Sequence, residues 1–257
     1  MTSPADDTPH DTRRPFMAHL EDFRRTLIGC MVALAAGMAV ALPLAPHIYK
    51  WVTLPLLNAG RSPDQYLKVF QLTGGLSLAM SIILWSGLLI SAPFMLLIIA
   101  RFVFPALTLK ERRAVLHLSG LAVVLFMAGV AVCYFWILGV TLQWMFGISA
   151  WMGVSMDFIQ APDYVAFVVK LLLAFGLAFE FPVVLLFFAH IGLVTVSTLA
   201  KYRRHVVLVI FLIAAIVTPT VDPFTQTLVA LPLYLLYEFC IAAIWFMERR
   251  RRQSEVS

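Results

Sequence analysis

One carboxylate, Glu180, sits deep in the apolar run Tyr164–Ala189, whose only other ionisable residue is Lys170. At about 1.5 Å rise per residue, such a run is long enough to cross a hydrocarbon core of about 30 Å. A charge in hydrocarbon is expensive, so chains keep one chiefly where it faces a partner or a wet cavity. Lys170 and Glu180 are ten residues apart in sequence. That spacing is about 15 Å along a helix and about 280° around it, so the two cannot pair on one helix. Lys170 lies toward one end and can snorkel back to water. Glu180 has no such escape. It reads either as a packed, protonated core glutamate or as a functional intramembrane carboxylate facing a hollow, and the second reading is preferred. Pro182 follows closely and should kink the helix there.

Two polar segments lie at the borders of apolar runs. The first spans Arg101 to Arg113 and mixes Phe102, Phe104, Pro105, Ala106, Leu107 and Leu109 with Lys110, Glu111, Arg112 and Arg113. Glu111 is either a local salt-bridge partner or an acceptor for a cationic ligand, because a carboxylate matches a guanidinium bidentately. The second is His19-Leu20-Glu21-Asp22-Phe23-Arg24-Arg25-Thr26-Leu27. It reads as an amphipathic lead-in with a possible Glu21/Arg25 pair at i,i+4. No nucleotide loop, metalloprotease helix, serine-hydrolase elbow or paired Cys-x-x-Cys is present. Cys30, Cys133 and Cys240 all fall in apolar stretches and read as small fillers rather than a disulfide framework. Neither cofactor nor metal is expected.

The elements that must position these residues follow from composition. The chain is 61% hydrophobic and 13% charged over 257 residues, with a mean hydropathy of +0.91. That describes an all-α, polytopic membrane protein rather than a soluble domain. Six spans are read: Leu27–Pro46, Gly74–Ala100, Ala114–Val140, Tyr164–Ala189, a short Val206–Val217, and Leu228–Met247. Residues 1–18 form a polar tail without periodicity, read as disordered; residues 19–247 form the membrane domain and residues 248–257 a basic tail. Outside the spans, Lys and Arg divide 15 against 3 between alternate sides, which puts both termini in the cytoplasm. The net charge of +5 therefore marks membrane flanks, and no nucleic acid partner is expected. The fifth span covers only about 18 Å. The sixth begins with polar Thr225, Gln226 and Thr227 and carries Glu238, so the two form a short hairpin. The segment Thr141–Asp163 is apolar and aromatic and reads as an interfacial belt or capping loop. Absence of an Arg/Ser-rich amphipathic leader favours a bacterial inner membrane.

Taken together, these motifs resemble the TatC family, the multispanning receptor of the twin-arginine protein translocase. The carrying segments are His19–Leu27, Thr53-Leu54-Pro55-Leu56, Ser91-Ala92-Pro93, and Phe102…Pro105-Ala106-Leu107…Glu111. Further along come Phe175-Gly176…Phe179-Glu180-Phe181-Pro182, Thr218-Pro219…Asp222-Pro223-Phe224-Thr225-Gln226, and Pro232-Leu233-Tyr234…Tyr237-Glu238. The resemblance implies a binding role and a curved, glove-like bundle. Glu111 looks like the family's main arginine-facing acid, with Asp22 the lead-in acid and Glu21, Arg24, Phe102, Pro105 and Leu107 beside them. The family lead-in usually reads His-Leu-x-Glu-Leu-Arg-x-Arg. Here Asp22 is one methylene shorter and Thr26 replaces an arginine. Glu180 resembles the family's intramembrane glutamate, with Lys170 and Glu238 as further intramembrane polar groups. Thr218, Gln226 and Asp222 match the hairpin that docks single-span partners of the TatA and TatB type, and Pro55 matches an outer structural position.

The resulting expectation is a signal-peptide receptor in a multimeric, proton-gradient-powered export complex set in membrane lipid. Two rivals are a proton-coupled solute transporter using Glu180 as relay, and an intramembrane hydrolase. The second lacks a nucleophile with an activating base.

Overall fold

The computed structural model describes residues 16–103, 109–154, 158–190, 192, 194–217 and 223–256. Helices dominate because a chain this apolar must satisfy its backbone within each segment. In order they are α1 (Phe16–Asn58), α2 (Pro63–Tyr66), α3 (Gly74–Val103), α4 (Leu109–Val132), α5 (Leu138–Trp151), α6 (Ala161–Ala178), α7 (Phe181–His190), α8 (Val196–Val217) and α9 (Pro223–Val256). A five-residue π-turn, Cys133–Ile137, joins α4 to α5 without a break. Among the described residues, five helical stretches are long and apolar enough to cross a membrane: Leu20–Asn58, Gly74–Ala100, Gly120–Trp151, Ala161–Ala189 and Pro223–Arg249.

Several boundaries differ from the sequence reading. The first span is part of a 43-residue helix, and α9 runs through the basic tail to Val256. The capping loop expected from Thr141 is helical as far as Trp151, because Thr141, Leu142 and Phe146 bury one face. The short fifth span is the second half of α8, whose first half carries Lys201, Arg203 and Arg204. The N-terminal tail falls outside the described residues up to Pro15.

Close approaches between helices set the frame. α1 packs along α3, and α6 packs against both α3 and α4. At Gly37 a Cβ would collide with the Gly87 carbonyl, so α1 and α3 meet backbone to backbone. At Gly129 a Cβ would lie 2.6 Å from the Phe175 carbonyl oxygen, and at Gly176 it would lie 2.6 Å from Phe126 Cε2. These notches lock α4 onto α6 just before Glu180. The main core gathers Leu56, Cys133, Ile137, Leu138, Val165, Val168, Leu171 and Phe175. A second cluster joins α7, α8 and α9 through Leu185, Leu199, Tyr237, Cys240, Ile241 and Ile244. All three cysteines are free, with Cys133 and Cys240 buried as fillers.

Two helix ends form the base of a small cap. At the end of α1, Gly60 has φ +80°, with Gly60 N–H donating to Leu57 and Arg61 N–H to Leu56. Gly153 repeats this at the end of α5, with φ +70° and Val154 N–H donating to Ser149. A left-handed residue after a helix favours glycine, since a Cβ is penalised there. Beyond them, Leu67–Lys68 (β1) pairs in parallel with Ile159–Gln160 (β2), which ties the loop after α1 to the loop after α5. Arg61 lies over the rings of Tyr66 and Phe146, its guanidinium carbon 4.7 and 5.1 Å from their centroids.

The notch at Gly129 generates a direct test. Gly129→Ala should lower the thermal unfolding midpoint of the purified chain, by the equivalent of about 1–3 kcal/mol for an overpacked contact. Gly120→Ala, where a Cβ meets nothing within 4 Å, should not lower it.

Candidate functional site

Glu180 occupies a break between two helices. Pro182 has no N–H, so the Ala178 carbonyl loses its i+4 donor and the helix cannot run straight through. Instead the turn tightens: Phe179 N–H donates to Phe175 and Glu180 N–H to Leu177, while the Glu180 carbonyl accepts from Val184 N–H. α7 then restarts at Phe181. α4 contacts both α6 and α7, so the break lies against α4. Glu180 is only 8% exposed, and its Oε1 is buried without a hydrogen-bond partner among the described residues. The side chain is turned into the protein and not out to lipid. An unpartnered carboxyl oxygen in such a place is costly, which marks it as a site retained against stability.

Lys170 behaves as its position requires. It is exposed, and its Nζ lies 4.8 Å from the centroid of Trp85 on α3. It has no contact with Glu180. A cation over an indole face is stabilised by the ring quadrupole.

Glu238 lies within the apolar stretch Pro223–Arg249 of α9 and is partnered on both carboxylate oxygens. Its Oε2 accepts from Arg203 Nη2 at 2.8 Å, and its Oε1 accepts from the Tyr234 hydroxyl at 2.9 Å. Arg203 belongs to the basic half of α8, so this pair ties α9 to α8 and closes one end of the α8–α9 hairpin. Two further bonds close the same end. Tyr237 Oη donates to the Leu199 carbonyl at 2.8 Å, and Val196 N–H donates to Glu248 Oε1 at 2.9 Å. These partners are 35 to 52 residues apart, and the sequence carries no signal that would pair them.

At the other end of that hairpin, Thr218 and Asp222 lie outside the described residues. Gln226 is half-buried near the start of α9. Next to it, Phe224 stacks on Trp144 of α5, with centroids 3.6 Å apart. Sequence reasoning assigned Trp144 to the aromatic belt but missed this contact.

The lead-in is helical, being the start of α1. Phe23 meets Phe102 at the end of α3 edge-to-face, centroids 5.9 Å apart. The lead-in thus lies beside the entrance to the Arg101–Arg113 segment. Asp22 is half-buried, and its carbonyl accepts from Thr26 Oγ1 at 2.9 Å; Thr26 therefore folds back on its own helix. Glu21, Arg24 and Arg25 are exposed, and no Glu21/Arg25 ion pair forms. Pro105 and Leu107 lie outside the described residues, as does the side chain of Glu111, whose backbone is in the first turn of α4. Pro55 is buried near the C-terminal end of α1.

The unpartnered carboxyl makes a stability prediction. Glu180→Leu should hold or raise the unfolding midpoint, because it removes a buried polar group without a partner. Glu180→Lys should lower it, since a cation placed there meets no acid. Thermal unfolding in detergent reads both.

Comparison with known proteins agrees with this architecture. Residues 18–232 match the family described as Sec-independent protein translocase protein (TatC). A protein of that name from Aquifex aeolicus is 32% identical over 239 residues, covering 93% of this chain and 98% of its own length. Its counterpart from Deinococcus radiodurans is 33% identical over 232 residues, covering 90% of this chain and 85% of its own. A crystal structure of the twin arginine translocase receptor TatC in DDM superposes with a TM-score of 0.78 at 33% identity, over 88% of this chain and 98% of that one. With the family match, the relatives and the superposition all in agreement, this chain belongs to the TatC family of Sec-independent protein translocases.

Proposed function

We propose that the chain is the signal-peptide receptor at the core of a twin-arginine translocase. Two paired arginines of a cargo signal peptide bind at the cytoplasmic face, through Glu111 with Asp22 beside it. The observation that carries this reading is the Phe23–Phe102 contact, which holds the acidic lead-in against the segment leading to Glu111. The guanidinium fork matches a carboxylate better than an ammonium does, which gives preference for arginine over lysine. The apolar part of the signal peptide then lies along the bundle toward Glu180. The chain acts by binding and not as an enzyme, and the proton gradient drives transport.

The topology completing this reading has six spans, the fifth being the apolar half of α8, with both termini in the cytoplasm of a bacterial inner membrane. Support comes from the Arg203–Glu238 pair, which sets the inner border of the hairpin where the basic residues cluster. The apolar lengths beyond it are short. Single-span partner subunits of the TatA and TatB type dock on that hairpin near Gln226.

Cross-linking tests the receptor assignment. A photoreactive group at position 111 should label a twin-arginine peptide several-fold more than its twin-lysine counterpart; equal labelling would remove the arginine-reading role. In cells, Glu111→Gln should reduce export of a folded twin-arginine reporter while leaving solute uptake intact, and export at the parental level would count against the site.

A further inference from the structure

A helical carbonyl accepts a hydrogen bond from the N–H four residues on, and a proline at that place leaves it without a donor. Prolines interrupt the long helices at Pro43, Pro46 and Pro55 in α1, Pro93 in α3 and Pro232 in α9. The carbonyls deprived are those of Ala39, Leu42, Trp51, Leu89 and Leu228. Among the described residues, only the carbonyl of Trp51 receives a side-chain donor. The Tyr134 hydroxyl donates to it at 2.8 Å, from 83 residues away. One residue further, the Tyr164 hydroxyl donates to the Val52 carbonyl at 3.0 Å.

The π-turn explains how Tyr134 reaches this place. Leu138 N–H bonds to Cys133 five residues back, so one residue more than usual fits into the turn. Cys133, Ile137 and Leu138 are all at 0% exposure, while Tyr134, inside the same turn, reaches across to α1. Tyr164 arrives on α6, almost wholly buried. Two helices therefore send hydroxyls to adjacent carbonyls at the proline of a third.

We propose that the Tyr134 hydroxyl replaces the amide that Pro55 removes. With Tyr164 it forms a positioning pair that fixes the angle at which the outer end of α1 carries the cap of α2, β1 and β2. The proline frees the carbonyl, the π-turn aims the phenol, and the bond joins the cap to the centre of the bundle.

A double-mutant cycle on the full-length purified chain tests this. Tyr134→Phe keeps the ring and removes the donor. It should lower the thermal unfolding midpoint by about 2–4 °C, the shift expected when one hydrogen bond worth about 1 kcal/mol is lost from a chain of this size. In a Pro55→Ala background the backbone N–H returns to the Trp51 carbonyl, and Tyr134→Phe should then have almost no effect. Tyr164→Phe, whose acceptor is not opposite the proline, should keep its cost in both backgrounds. An equal loss from Tyr134→Phe with and without Pro55, or no loss with it, would overturn the proposal. Export of a twin-arginine reporter should fall several-fold in Tyr134→Phe and recover in the double variant. That arm rests on the translocation reading, whereas the thermal cycle does not, so the two failures are distinguishable.

Discussion

Hydrocarbon offers no water to a backbone group, so an interruption of a spanning helix is costly unless it is answered from within the protein. At Phe179–Glu180 the answer is a tightened turn that recovers most of the lost bonds. At Pro55 it is a phenol from another helix. At the ends of α1 and α5 it is a left-handed glycine that returns the last carbonyls to the chain. The close contacts at Gly37, Gly129 and Gly176 let the helices carrying these bonds pack tightly. Only helices that approach closely can share donors across their faces.

This constraint makes Glu180 stand out. Backbone irregularity at the α6–α7 break is largely repaired, yet the side chain at its centre keeps a buried oxygen unpaired. By contrast, Glu238 is matched twice, by Arg203 and Tyr234, and half-exposed pairs of that kind contribute little to stability. The two glutamates, similar in sequence context, thus have different physical standing. One closes a hairpin between two helices, and the other is held in the interior at a cost.

Much of the frame was legible in the residues. The second span was read as Gly74–Ala100 and the helix runs Gly74–Val103, because glycines and an arginine bound that apolar run. Pro182 announced the interruption beside Glu180. What escaped was whatever depended on protein in place of lipid as the surroundings. Hydropathy marks only the lipid-facing part of α1, so its polar first turns and its outer end past Lys50 went unread as helix. The aromatic stretch after Thr141 was assigned to a loop because a span of usual length had already been filled. The Arg203–Glu238 bond and the two tyrosine–carbonyl bonds link residues between 35 and 112 positions apart, and nothing local encodes them. Motif order points to Asp22 and Glu111, which stand near the starts of α1 and α4, while the contact that brings α1 against α3 there, Phe23 on Phe102, has no local signal.

α1 has 43 residues, which amounts to about 64 Å of helix, roughly twice the thickness of a hydrocarbon core. It therefore exceeds any hydrocarbon core and carries the lead-in at one end and the base of the cap at the other, on a single rod. A tilt imposed at Asp22 becomes a displacement at Asn58, attenuated only by whatever bending the prolines between them permit. A rod of this length couples the two ends of the bundle, and it touches α3 backbone to backbone where Gly37 meets Gly87.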